Sequence, residues 1–239
     1  RKGIFYLLNL QDAVSFKLSV KGSFEKNDSN YVFNLLNDGD IAIDVGANIG
    51  YYTMNFCRKV GENGMVYAFE ANELNYNILN ISSLKNGFKN INIYNSIISD
   101  TNENFKENTL NYDSSLNYYT KDLESTNNTS KLLDDYFETI SKHNKSVKVL
   151  KIDVEGAEYL ILKSAKKLLN SKYAPEYILI ELYDEYLKRF DSSIDDVILF
   201  LKKYDYEGPY HLVNNQLAKI NIRTGLESSD GNYYFLKVR

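Results

Sequence analysis

Apolar and polar positions along this chain change period several times, and each change marks an element. Val14-Ser15-Phe16-Lys17-Leu18-Ser19-Val20 alternates with a period of two, which predicts a strand with one buried face, and Ile4 to Leu8 reads as its partner. Asp28 or Ser29 then caps a short predicted helix through Leu36, which Asn37-Asp38-Gly39-Asp40 ends. Ile41-Ala42-Ile43-Asp44-Val45 is a nearly all-apolar run of the kind buried parallel strands carry. A helix over Tyr51 to Val60, a turn at Gly61-Glu62-Asn63-Gly64, a strand over Met65 to Phe69, a helix over Glu73 to Lys85 closed by Asn86-Gly87, and a strand over Ile91 to Ile98 follow. This alternation predicts an α/β fold with a parallel sheet and crossover helices.

From Asp100 to Ser130 periodicity fades into Asn, Thr, Ser, Tyr and Glu, and a long stretch of that kind inside a compact domain predicts a lid or substrate loop, spanning 101–130. Tyr112, Tyr118 and Tyr119 in it are candidates to stack on a sugar ring. Helix is predicted over Lys131 to Ile140, a fourth strand over Val147 to Ile152, its helix over Ala157 to Leu169, and a fifth strand over Tyr177 to Leu182. A helix over Ile194 to Tyr204 precedes two candidate strands, Tyr210 to Val213 and Tyr233 to Val238, which read as an antiparallel hairpin joined by a polar segment. The chain thus reads as one domain over 1–239: N-terminal strands and helix in 1–39, a cofactor-binding core in 40–182, and a C-terminal helix and hairpin in 183–239.

Composition adds exclusions. A length of 239 residues fits one core, and 44% hydrophobic with 14% aromatic residues is too rich in packing groups for disorder. Lys+Arg 28 against Asp+Glu 32 leaves a net charge of −4, which argues against nucleic acid as a partner. No apolar run approaches the roughly 18 residues of a membrane span, so no membrane insertion is expected. The lone Cys57 cannot form an intrachain disulfide, and with His143 and His211 it is too poor a set for a zinc cage, so a reducing, cytoplasmic setting is expected. The N-x-[ST] sequons at Asn27, Asn80, Asn127, Asn128 and Asn144 read as chance in an Asn-rich chain. Arg1 at the start fits a domain cut from a longer polypeptide.

The densest chemical signal is Asp44-Val45-Gly46-Ala47-Asn48-Ile49-Gly50 at a strand-to-helix junction. Gly46 and Gly50 allow positive φ and close backbone approach, so a cofactor can lie across Gly46, Ala47, Asn48 and Gly50 where the free N–H groups of a helix start point outward. Asp44 would repel a pyrophosphate but suits the cationic amino-acid tail of S-adenosylmethionine, and the spacing G-x-x-x-G departs from the dinucleotide fingerprint. Glu70, about 20 residues after the turn, is placed to accept from both ribose hydroxyls. Asp100, with Ser99 beside it, is placed to accept from an adenine amino group.

A second cluster is Lys151-Ile152-Asp153-Val154-Glu155-Gly156-Ala157-Glu158. Lys151, Asp153 and Glu155 share one face of an extended segment at the carboxyl end of the fourth strand, where open α/β sheets bind ligands. The bland alternative is an internal Lys151–Asp153 ion pair with Glu158 complementing a helix dipole. Glu181 closes the neighbouring strand, and Asp153 with Glu181 suits either a divalent metal or a shared proton in acid/base work. His211 is a reserve base.

Those residues resemble the FkbM family of class I S-adenosylmethionine-dependent methyltransferases. The resemblance rests on Asp44 to Gly50 with Tyr51-Tyr52-Thr53, on Val66-Tyr67-Ala68-Phe69-Glu70, and above all on Lys151 to Glu158, and spans about Leu35 to Glu181. It implies a Rossmann-like fold, a mostly parallel seven-stranded sheet with an antiparallel edge hairpin and helices on both faces. It also implies S-adenosylmethionine as cofactor, S-adenosylhomocysteine as product, and O-methylation of a sugar, glycan or glycosylated natural product. The Asn-Pro-Pro-Tyr type of motif is absent, since Val-Glu-Gly follows Asp153. On this reading Asp153 is the general base, Glu155 and Glu181 orient the acceptor diol, and Lys151 is an alternative partner for the developing oxyanion. A metal-assisted O-methyltransferase, a nicotinamide oxidoreductase and a non-catalytic cofactor-binding scaffold are the alternatives. A fused or partner glycosyltransferase is a further expectation; the oligomeric state is left open.

Overall fold

The computed structural model describes residues 3–10, 12–108, 118–121, 129–220 and 231–238. Two helices lead, α1 (Ala13–Lys21) and α2 (Lys26–Leu35), followed by β1 (Ile41–Val45), α3 (Tyr51–Val60), β2 (Met65–Glu70), α4 (Glu73–Asn86) and β3 (Ile91–Asn95). Next come β4 (Phe105–Asn108), β5 (Tyr118–Lys121), a 3₁₀ turn over Leu133–Tyr136, α5 (Phe137–Ser141), β6 (Val147–Ile152), α6 (Glu158–Ser164), α7 (Lys166–Leu169) and β7 (Tyr177–Leu182). After α8 (Asp184–Leu187) and α9 (Ile194–Lys202) the chain ends in β8 (Tyr206–Val213), β9 (Gln216–Lys219) and β10 (Gly231–Lys237).

Among the described residues eight strands form one sheet in the order β3-β2-β1-β6-β7-β10-β8-β9. The first five are parallel, and β10 runs antiparallel between β7 and β8. The expected α/β class holds, with eight strands in place of seven. The extra one, β9, exists because Asn214 and Asn215 take φ of 51° and 61° and turn the chain back on β8. Asn tolerates that left-handed pair better than most residues, as a two-residue hairpin requires. β4 and β5 form a separate two-stranded sheet inside the segment expected as a lid. Tyr112 lies outside the described residues.

The N-terminal strands are the clearest correction. Val14 to Val20 is helical because Asp12 Oδ1 accepts the Ser15 N–H at 2.8 Å and Gly22, at φ 66°, closes the far end. Local capping outweighs the period of two, and the helix buries Ser15 and Leu18 while Phe16 and Val20 stay exposed. Ile4 to Leu8 forms no strand; it lies along α4, where Asn86 Oδ1 accepts from Phe5 N at 2.9 Å and Ser82 Oγ from Leu7 N at 3.0 Å. Neither Asp28 nor Ser29 caps α2, whose N-cap position is Glu25.

β3 stops three residues early because the Asn95 side chain donates to the Glu70 and Ala71 carbonyls and bends the chain away. The helix expected from Ala157 breaks at Ala165 into α6 and α7. Chain order reverses where β1 neighbours β6, so a crevice opens at their carboxyl ends. Beneath it, β1 is buried along its whole length. No described helix is long and apolar enough to cross a membrane.

Candidate active site

A cleft of about 350 Å³ opens at that reversal. One end is built by the loops after β1, β2 and β3, with Val45 to Ile49, Phe69 to Ala71 and Ser96 to Ser99 along its walls. Gly46 has φ 82°, and a side chain there would put its Cβ 1.8 Å from the Asp153 carbonyl oxygen, so the two strand ends pack backbone to backbone. Glu70 is the anchor of this end. Its Oε2 accepts from Asn48 N at 2.7 Å and its Oε1 from Asn72 N at 2.8 Å, which leaves one lone pair on each oxygen for a vicinal diol. Burial pushes the carboxyl up to about 7, with the two N–H bonds pulling the other way. A ribose fits that donor demand, so the residues present suit an adenosyl cofactor.

Asp44 does not face this cleft. Its side chain lies beneath the loop, where Thr53 Oγ1 donates to Oδ2 at 2.5 Å and Oδ1 is 4.0 Å from Lys151 Nζ. The burial raises its pKa and the Lys151 charge opposes the rise. Gly50 is likewise outside the lining: at φ 94° it starts α3 in close contact with Leu79, whose Cδ1 a Cβ would approach to 2.3 Å. Asp100 is held by Lys163 at 2.6 Å and does not line the cleft, whereas Ser99 does.

At the other end the carboxyl termini of β6 and β7 meet the N-terminal helices. Lys151, Asp153, Glu155 and Glu181 all line the cleft, joined by Glu25, Tyr52, Tyr183 and Tyr186. Lys151 Nζ donates to Asp153 Oδ2 at 2.8 Å and sits over the Tyr52 ring at 4.7 Å from its centroid. Burial opposes the lysine's charge, but Asp153, Asp44 and Glu25 outweigh it and hold the proton on. The anticipated Lys151–Asp153 ion pair is therefore real, and it is part of the cleft wall.

Asp153, Glu155 and Glu181 each bring a carboxylate oxygen within 4.8 Å of the others. Burial first, and then the Asp153 charge, push Glu181 up to about 10 and Glu155 up to about 8. Burial and the neighbouring carboxylates thus favour the protonated form of Glu181. Glu155 sits at φ 56°, just before Gly156, whose Cβ would lie 2.4 Å from the Tyr186 carbonyl oxygen. Glu158 shapes this turn from below: its Oε1 accepts from Val154 N at 3.2 Å and Gly156 N at 3.0 Å.

His211 lies on β8 with its ring 4.3 Å from that of Tyr233 and is not in the lining. Cleft residues outside every sequence motif include Glu25, Phe105 and the Tyr183–Tyr186 ring pair, centroids 5.1 Å apart. Glu25 has φ 44° and makes no cap bond to α2; its Oε2 accepts from Tyr52 Oη at 2.7 Å. Burial, followed by the charge of Asp153, raises its pKa. No local pattern marks it, because only the docking of α1 and α2 brings it to the cleft.

Residues 44–207 match the family model of the methyltransferase FkbM domain. Among solved structures, a methyltransferase FkbM from Methylobacillus flagellatus KT superposes with a TM-score of 0.52 at 16% identity, over 84% of this chain and 44% of that one. An S-adenosylmethionine-dependent O-methyltransferase from Thermotoga maritima gives 0.50 at 16%, over 95% and 71% of the two chains. An rRNA methylase from Streptococcus thermophilus gives 0.50 at 13%, over 89% and 95%. These likenesses are of fold. No curated protein is matched by the sequence.

Proposed function

We propose that this chain, which belongs to the FkbM methyltransferase family, O-methylates a sugar or glycan hydroxyl with Asp153 as general base. It is an S-adenosylmethionine-dependent methyltransferase. The observation that supports it most is the convergence of Asp153, Glu155 and Glu181 at the cleft end away from Glu70, beside the Tyr183–Tyr186 ring pair. Carboxyl groups bracketing a space walled by aromatic rings suit a polyhydroxylated acceptor, which offers several donors and an apolar ring face.

When bound, S-adenosylmethionine supplies an electrophilic sulfonium methyl group. Asp153 would take the acceptor hydroxyl's proton as that oxygen bonds the methyl carbon and the carbon–sulfur bond breaks, its electron pair leaving with S-adenosylhomocysteine, and a base so placed contributes about 10²–10⁴-fold. Lys151 holds Asp153 Oδ2 in place and keeps a positive charge against the developing oxyanion. Glu181, protonated, donates to Asp153, and Glu155 accepts from a neighbouring hydroxyl. A metal-assisted variant is the second reading, favoured by three ligand oxygens lying within 4.8 Å of one another.

Calorimetric titration with S-adenosylhomocysteine, followed by acceptor screening on glycans and on an rRNA fragment, tests the reading. Asp153→Asn should bind S-adenosylhomocysteine like wild type and lose about 10²–10⁴-fold in turnover. Wild-type turnover in that variant would remove Asp153 as the base, and methylation of RNA alone would remove the glycan. Loss of activity in chelator with rescue by Mg²⁺ would favour the metal-assisted variant.

A further inference from the structure

Strand β4 lies outside every motif yet supplies a wall of the cofactor end. Its side chains alternate as strand geometry requires: Phe105 is buried and lines the cleft, Lys106 is exposed, and Glu107 turns to the same side as Phe105. The strand is tied down on both sides. Before it, Ser130 Oγ lies 2.6 Å from the Thr101 carbonyl oxygen and 2.9 Å from that of Glu103, and Ser130 N donates to Glu103 O at 2.8 Å. At the other side, Asn72 Nδ2 donates to Glu107 Oε1 at 2.6 Å.

Asn72 occupies a junction. Its backbone N–H holds Glu70 Oε1, its Oδ1 caps α4 by accepting from Asn75 N at 2.9 Å, and only its amide NH₂ reaches β4. The residue that fastens β4 is therefore the same one that orients the ribose carboxylate. Phe105 lines the same cleft as Ser96 to Ser99, Phe69 and Ala71, and Ser130 N bonding Glu103 O while Lys131 N bonds Ile97 O sets the start of β4 beside the chain past β3. A base attached to a ribose held at Glu70 extends into that space, and an aromatic ring there offers it a stacking face.

We propose that β4 clamps the nucleoside half of the bound cofactor, with Phe105 against the adenine ring and the Asn72–Glu107 hydrogen bond as the latch. This rests on S-adenosylmethionine being the methyl donor. The latch opposes departure of the bound molecule more than its arrival, so its signature is in the dissociation rate.

The test is release of radiolabelled S-adenosylhomocysteine into an unlabelled chase. Asn72→Asp keeps the cap oxygen and the backbone N–H but sets a carboxylate against Glu107, and release should quicken about tenfold or more. Adding Glu107→Gln to that variant restores a donor facing an acceptor, with the direction reversed, and should bring release back to within about threefold of wild type. Phe105→Ala should weaken binding about 10- to 100-fold, with Phe105→Leu intermediate and circular dichroism showing that both fold. Wild-type release from Asn72→Asp, or no recovery in the double variant, would overturn the clamp while leaving the donor assignment intact. A wild-type protein that does not bind S-adenosylhomocysteine would overturn both.

Discussion

The two ends of the cleft satisfy their polar groups in opposite ways. At the cofactor end the protein has already used its own backbone: Glu70 holds two N–H groups, and Gly46 N and Ala47 N both donate to the Phe69 carbonyl at 3.0 Å. At the acceptor end carboxyl groups face one another, and burial with mutual repulsion favours the protonated forms of Glu181 and Glu155. One end is a finished mould for an invariant ligand; the other stores hydrogen-bonding capacity that the proposed polyhydroxylated acceptor would use. Preorganisation by backbone suits the part of the reaction that never changes.

Substitutions can break this contrast. The largest effect is expected at Gly46→Ala, which touches both ends at once: the new Cβ meets the Asp153 carbonyl, and the positive φ alone costs about 1–3 kcal/mol. Thermal denaturation should show a loss of at least that size; near-wild-type stability would mean that the two ends are not packed backbone to backbone. Glu70→Ala comes next, with a loss of about 10- to 100-fold in S-adenosylhomocysteine affinity on removing a charge-assisted acceptor.

A pH series sharpens the contrast further. With Glu70 at about 7 and ribose donors needing its ionised form, affinity should fall by up to about tenfold per pH unit below that value, and Glu70→Gln should flatten the slope. An unchanged slope in that variant would detach the ribose from Glu70. At the acceptor end the linkage acts on stability. Glu181 is raised from 4.5 to about 10, so its contribution is complete below about 4.5 and is lost as pH rises toward 10. Melting between pH 6 and 10 should therefore show a smaller decline in Glu181→Gln than in wild type. The smallest effect is at Tyr52→Phe, about 1 kcal/mol for the bond to Glu25, with cofactor affinity unaltered.

Strand and helix periodicity in 41–95 and 147–182 survived folding nearly intact because those segments are buried on a regular sheet, where local pattern and tertiary demand agree. Val14 to Val20 failed because a seven-residue alternation competes poorly with a cap at each end, and no strand stood ready to pair with it. Lys151, Asp153, Glu155 and Glu181 were legible at the site because strand ends in open α/β sheets converge by topology. Asp44, Gly50, Asp100 and His211 were plausible by spacing and lie elsewhere, since spacing places a residue on an element without stating which way its side chain turns.

The sequence by itself determined the α/β class, the two loops that line the cleft, and the family they belong to, because each of these is written in contiguous residues whose backbone requirements are local. Only the tertiary structure decided that Asp44 braces Lys151 from beneath, that Glu25 reaches the cleft from a helix start, and that Glu107 fastens β4 to Asn72. Those pairs are separated by 35 residues or more or lie across different elements, so their contact is set by how the layers dock, and docking is a property of the whole core.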